Sequence, residues 1–131
     1  MTYLVDTDRV ADWLVGRPDA IELLTRISPD GLAISLITFG EIYEGVFFGR
    51  DPTAAEAIFR RFLRDVDVLP LNRTIMRRFA RVRGELRRRG QNIGDTDTLI
   101  AATALHHMLI LVTRNLKDFQ RVPGLNVYVP G

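Results

Sequence analysis

The residues of this 131-residue sequence best placed to do chemistry are carboxylates. Asp6 closes the apolar run Tyr3-Leu4-Val5, where a buried acid is costly unless it is paired or bound to a cation. Glu41 stands one turn into a helix that starts near Thr38, a geometry that carries its carboxylate back toward the helix N-terminus. Asp97 opens a further helix, and Asp95 stands two residues earlier in Gly94-Asp95-Thr96-Asp97. Thr7 follows Asp6, and Thr113-Arg114-Asn115, with Asp118 just beyond, adds neutral and acidic oxygens. Each has a structural alternative: Asp6 as an N-cap, Glu41 as a charge near a helix N-terminus, one of Asp95 and Asp97 as a cap. Clustered carboxylates repel one another and need a cation or shared protons. Mg²⁺ prefers such oxygen donors, lowers the pKa of water and stabilises charge on a phosphodiester. The pattern therefore points to metal-dependent hydrolysis of a phosphoester. With no Cys, and with His106 and His107 adjacent on a helix and facing different ways, thiolate and His₃ metal sites are excluded.

The elements that must position these residues alternate between strand and helix. Strands are expected at Tyr3–Val5, Leu32–Ser35, Val66–Leu71, Leu109–Val112 and Asn126–Val129. Helices are expected at about 8–15, 18–27, 38–48 with Thr38 as cap, 53–64, 73–89 capped by Asn72, and 97–108 capped by Asp95 or Thr96. In the long helix, Ile75, Phe79, Val82 and Leu86 form a core stripe. Gly45 offers the Glu41 helix a close backbone approach, and Ala101 and Ala104 let the Asp97 helix pack tightly. Such alternation implies right-handed crossovers and a parallel sheet covered on both faces, a three-layer α/β/α domain. Ligands bind such sheets at the carboxyl ends of the strands, where the acids lie.

Composition, at 47% hydrophobic and 26% charged, is that of one folded domain spanning 1–131. Disorder and disulfide scaffolds are excluded. With no signal peptide and no membrane-length apolar run, the expectation is a soluble cytoplasmic protein. Of the cations, only Lys117 is lysine, and residues 73–89 hold eight arginines against one glutamate. That stretch is either a nucleic-acid-facing surface or a solvated helix face. Trp13 is expected in the core, Met76 and Met108 as gap-fillers.

Taken together, these motifs resemble the PIN-domain ribonucleases, specifically the VapC-type toxins of bacterial toxin–antitoxin pairs. The resemblance rests on Val5-Asp6-Thr7, Thr38-Phe39-Gly40-Glu41 with Gly45, and Asp97-Thr98-Leu99-Ile100-Ala101-Ala102. It extends to Leu111-Val112-Thr113-Arg114-Asn115, Asp118-Phe119 and Arg121-Val122-Pro123-Gly124-Leu125. It implies an α/β/α fold with a parallel sheet in the order 3-2-1-4-5. It also implies Mg²⁺- or Mn²⁺-dependent endoribonuclease activity, with water attacking an RNA phosphodiester in line. Asp6, Glu41 and Asp97 map onto the family's acidic triad. Asp6 and Asp97 are expected as metal ligands, and Glu41 as the group that orients or activates water. The fourth acidic position falls at Asn115, where many relatives have Asp and where Asp95 or Asp118 can compensate. Thr7, Thr113 and Asn115 would position the metal shell or the scissile phosphate, and Arg114 would either steady phosphate charge or lie on the surface. The partners implied are an RNA substrate, a small antitoxin that occupies a groove beside the site, a homodimer and a toxin–antitoxin hetero-oligomer. Phe47, Phe48, Phe59 and Phe62 are candidates for that groove or for the core.

Two rivals share the acidic pattern. A haloacid-dehalogenase-like phosphatase is imitated by Asp6-Thr7-Asp8, but its lysine should precede Gly94 and Lys117 comes after it. A phosphoacceptor receiver domain wants an acid ending the third strand, where Leu69-Pro70-Leu71 stands. A nucleic-acid-binding module without turnover is the third alternative.

Overall fold

The computed structural model describes residues 1–130. The strands are β1 (Tyr3–Val5), β2 (Leu32–Ser35), β3 (Val66–Leu69) and β4 (Ile110–Val112). The helices are α1 (Thr7–Leu14), α2 (Pro18–Ile27), α3 (Leu36–Phe47), α4 (Pro52–Leu63), α5 (Arg73–Arg88), α6 (Asp95–His107) and α7 (Leu116–Phe119). All strands are parallel, in the order β3-β2-β1-β4, with Tyr3 beside both Leu32 and Ile110, and Ser35 beside Leu69.

Alternation along the strands divides the core into two layers. Leu4, Ala33 and Leu111 turn to one face and meet Val82 and Leu86 of α5, Ile100, Ala101 and Ala104 of α6, and Phe119 of α7. Val5, Ile34 and Val112 turn to the other and meet Val10 of α1, Leu23 and Leu24 of α2, Ile42 of α3, and Phe59 and Phe62 of α4. Phe59 is fully buried, its ring centroid 5.4 Å from that of Tyr43 and 5.8 Å from that of Phe39. Trp13 packs on Phe62 at the margin of this layer, 5.1 Å between centroids.

The expected five-strand order 3-2-1-4-5 is corrected: the sheet has four strands. The segment expected as a fifth makes a single parallel bridge, Leu111 to Val127, with Leu111 N–H donating to Asn126 O and Tyr128 N–H to Leu111 O. In a parallel ladder alternate residues face opposite neighbours, and Ile110 and Val112 are spent on β1. Leu109, the outward residue before them, donates its N–H to Ala104 O instead. Outward pairing is confined to Leu111, and a single bridge makes no ladder.

Smaller corrections also have local causes. β3 stops at Leu69 because Pro70 lacks the N–H a ladder needs. α3 starts at Leu36 with Ser35, not Thr38, as cap: Ser35 Oγ accepts the Thr38 N–H at 3.0 Å. α6 starts at Asp95, with Gly94 at the cap position. A Cβ on Gly45 would meet nothing within 4 Å, so no close approach depends on it. Met108 takes a left-handed conformation (φ 55°) that ends α6, and it is 89% exposed rather than filling a gap. Met76 is 40% exposed and does not fill a core gap either. Among the described residues no helix is long and apolar enough to cross a membrane.

Candidate active site

Because the strands are parallel, all their carboxyl ends share one edge, and α1, α3 and α6 begin there. Asp6 leaves β1 into the N-cap of α1 with 5% of its surface exposed. Its Oδ1 accepts the Thr7 N–H at 2.8 Å and its Oδ2 the Thr113 hydroxyl at 2.7 Å. Capping thus uses one oxygen of Asp6 and leaves the other against Thr113, just beyond β4. Burial, then the charge of Asp8, pushes its pKa up to about 7; the Thr113 and Thr7 donors pull the other way, and Asp97 adds to the rise.

Asp8 is the residue that sequence reasoning passed over, having weighed it only as part of a phosphatase-like Asp-x-Asp. It sits on the first turn of α1, where Oδ2 accepts the Arg114 N–H at 3.0 Å and lies 3.4 Å from the Thr113 hydroxyl. Its Oδ1 is buried without a protein donor. The available signal was its spacing: two residues after Asp6 across a helix start, an acid faces the same edge.

Glu41 comes from the second turn of α3 and stays exposed. Thr7 donates to its Oε1 at 2.6 Å, and Thr38 Oγ1 stands 3.0 Å behind Thr7 Oγ1. Ser35 Oγ lies 3.3 Å from Thr38 Oγ1. A hydroxyl carries one proton, and the carboxylate can only accept, so the donors run Ser35 to Thr38 to Thr7 to Glu41. Asp97, half-buried in the first turn of α6, has its pKa raised by burial, then by Glu41, Asp118 and Asp8.

The two acids expected to compensate for Asn115 part ways. Asp118 bears on Asp97 and accepts from Asn115 Nδ2 at 3.1 Å. Asn115 also caps α7, its side chain accepting the Asp118 N–H, and its own N–H donates to Thr113 Oγ1 at 3.0 Å. Asp95 is exposed and bonded to Arg83 Nε at 2.8 Å, apart from the other acids. The Arg114 guanidinium is engaged by Asp12, with Nε 2.9 Å from Oδ2 but out of hydrogen-bond alignment.

Asp8 and Asp97 thus stand close enough to Asp6, and Glu41, Asp118 and Asp8 close enough to Asp97, to add to the rise that burial gives each, though no three acids close to metal-holding distance among the described residues. The donors are all oxygen, two are disfavoured as anions, and Asp8 Oδ1 lacks a donor. A divalent cation fits that set, relieving the repulsion by drawing the carboxylates inward.

A three-layer α/β/α sheet with acids at its carboxyl edge is the architecture of the PIN domain, whose family model matches residues 3–125; the chain belongs to the PIN-domain family. Within it the chain stands with the VapC toxin ribonucleases. It is 32% identical over 127 residues to ribonuclease VapC2 of Haemophilus influenzae, covering 95% of each chain. It is 27% identical to the tRNA(fMet)-specific endonuclease VapC of Salmonella typhimurium, covering 97% of this chain and 96% of that one. Its fold superposes on VapBC2 from Rickettsia felis bound to a DNA fragment from their promoter, with a TM-score of 0.91, 27% identity and 98% of each chain covered. The phosphatase and receiver readings have no counterpart in these matches.

Proposed function

We propose that the chain is the toxin of a VapBC-type pair and hydrolyses RNA phosphodiester bonds as an endoribonuclease that uses Mg²⁺, with Mn²⁺ as a substitute. The observation that carries the reading is the convergence of Asp6, Asp8, Glu41 and Asp97 on one sheet edge, where burial, then the charge of Asp8, pushes the Asp6 pKa up to about 7. Asp6 and Asp97 hold the cation in this reading. Bound there, it supplies positive charge that makes water more acidic and offsets charge on the scissile phosphate.

The chain's own groups do the rest. Thr113 aims Asp6 Oδ2, and Arg114 N–H fixes Asp8. Glu41, pinned at Oε1 by Thr7, keeps its exposed carboxylate toward solvent, where it orients the attacking water and accepts its proton. Asn115 holds Asp118 near Asp97, so an acid from α7 stands in for one at position 115.

Solved relatives include VapBC2 of Rickettsia felis and a toxin–antitoxin complex from Klebsiella pneumoniae, which support a small antitoxin as partner and an oligomeric assembly; a toxin homodimer within it is part of our proposal. Of the four phenylalanines considered for that contact, Phe59 and Phe62 are in the core. Phe47 and Phe48, 60% and 87% exposed at the end of α3, are left for a partner.

The test is cleavage of total cellular RNA by the purified, antitoxin-free chain, with Mg²⁺ and with chelator, beside Asp97→Asn. Cutting that needs both the cation and Asp97 is the expected result. Cutting that survives chelator and Asp97→Asn would remove the assignment.

A further inference from the structure

The arginines of α5 are not spent in the way a solvated, salt-bridged helix face spends them. Arg83 is taken by Asp95, and Arg88 and Arg89 lie 3.9 Å and 3.3 Å from Glu85. Arg77, Arg78 and Arg81 have no ion pair or side-chain hydrogen bond among the described residues, and all three are exposed. At positions i, i+1 and i+4 they share one side of the helix. With Thr74 and the Glu85–Arg89 pair they line a groove of about 550 Å³ whose apolar lining is Val82 of α5, Leu105 of α6 and Pro123 of the turn beyond α7.

We infer that this groove is a second contact for the RNA, holding the phosphates of single-stranded substrate on Arg77, Arg78 and Arg81 while a base or ribose rests on the apolar floor. The inference rests on the ribonuclease reading above. Guanidinium forks suit phosphate oxygens in pairs, and the bias to arginine over lysine is what such contacts favour. A second copy of the chain meeting this face about a twofold would set arginine against arginine, an arrangement like charges oppose. A helical peptide needs a row of apolar anchors, and a floor of three small apolar contacts rimmed by charge does not provide one.

The groove is also rigidly tied to the acidic edge. Asp97 and Leu105 belong to the same helix, eight residues apart, so the groove lies about 12 Å along α6 from the acids at 1.5 Å per residue. At roughly 3.4 Å per stacked nucleotide, that is about four nucleotides. A short oligonucleotide reaches the acids alone, whereas a longer one reaches both.

The experiment measures binding of a fluorescein-labelled 20-nucleotide oligouridine to the full chain in chelator, over a series of salt concentrations. Three proteins are compared: the unaltered chain, the triple variant R77Q/R78Q/R81Q, and R60Q/R61Q/R64Q, which removes three exposed arginines at the C-terminal end of α4 and its cap. Gln keeps helix propensity close to that of Arg, so α5 is retained, and circular dichroism checks this. Losing three phosphate contacts should make the slope of log K against log salt shallower by about 2 in the α5 variant. The α4 variant should keep the slope. Cleavage of a dinucleotide RNA in Mg²⁺, too short to span the distance to the groove, should be unchanged in the α5 variant, while KM for the 20-mer rises. An unchanged slope, or an equal loss in the α4 variant, overturns the groove while cleavage by the unaltered chain leaves the ribonuclease reading standing. Failure of the unaltered chain to cut or bind any RNA overturns both. Oligoglutamate of equal charge that displaces the 20-mer at equal concentration overturns the RNA assignment and makes the groove a peptide-acid site.

Discussion

Thr7 Oγ1 lies 2.6 Å from Glu41 Oε1, so the first residue of α1 holds the acid that α3 brings to the site across 34 positions of sequence. Behind Thr7 the buried hydroxyls of Thr38 and Ser35 fix the direction of donation. Glu41 is therefore oriented although it is exposed.

Replacing Thr7 with Val removes that donor while keeping the shape. A hydrogen bond to a charged group is worth about 1.5–3 kcal/mol, so RNA cleavage should fall roughly ten- to a hundredfold. Thr7→Ser should recover most of the rate. If Thr7→Val cuts RNA at the rate of the unaltered chain, Glu41 does not depend on this contact.

Thr113→Val should weaken divalent-cation binding more than cleavage at saturating cation. The substitution leaves Asp6 Oδ2 without its 2.7 Å donor and Asn115 N–H without its acceptor. With that donor gone, the Asp6 pKa moves further up and the anion that binds cation becomes scarcer at neutral pH. Calorimetric titration should show affinity reduced by roughly ten- to a hundredfold, with Thr113→Ser close to the unaltered chain.

The raised pKa of Asp6 gives metal-free stability a definite sign. The folded chain holds a proton near pH 7 that the unfolded chain releases near the ordinary value of 3.8. Stability in chelator should therefore fall as pH rises between these values and level off above about 7. Asp6→Asn should remove this component, gaining about 2–4 kcal/mol relative to the unaltered chain between pH 4 and pH 8. Urea midpoints at the two pH values read the difference directly. A parallel pH dependence in both proteins would mean that Asp6 ionises freely.

Asp95 and Asp118 should behave differently although each could compensate for the acid absent at Asn115. Asp95→Asn removes only an exposed pair with Arg83, worth about 0–1 kcal/mol, and should leave cleavage within about twofold. Asp118→Asn should lower the pKa of Asp97, because one of the charges that raises it is gone. A carboxyl-carbon NMR titration of Asp97 without metal tests the second statement. No downward shift would place Asp118 outside the site.

The four phenylalanines divide in the same manner. Phe59→Ala should cost about 3–5 kcal/mol of stability, because the ring is wholly enclosed. Phe48→Ser should stay within about 0.5 kcal/mol, since the ring is 87% exposed. Denaturant melts of the isolated chain distinguish them.

What the sequence determined by itself is local in origin. Alternating apolar runs and amphipathic stretches define the strands and helices, and a parallel sheet sends every strand end to one edge. Asp6, Glu41 and Asp97 were legible for that reason, and the motif order carried the family. Tertiary structure decided what depends on which way a side chain turns and which neighbour is already taken. Asp95 and Asp97 are two residues apart on the first turn of α6, about 200° around the helix, so one meets Arg83 and the other the site. Asp8 joins because Arg114 N–H, more than a hundred residues away, donates to its Oδ2. The fifth strand was lost because the hydrogen-bonding groups beside Leu111 already had partners, a fact carried by β1 and α6 rather than by residues 126–129.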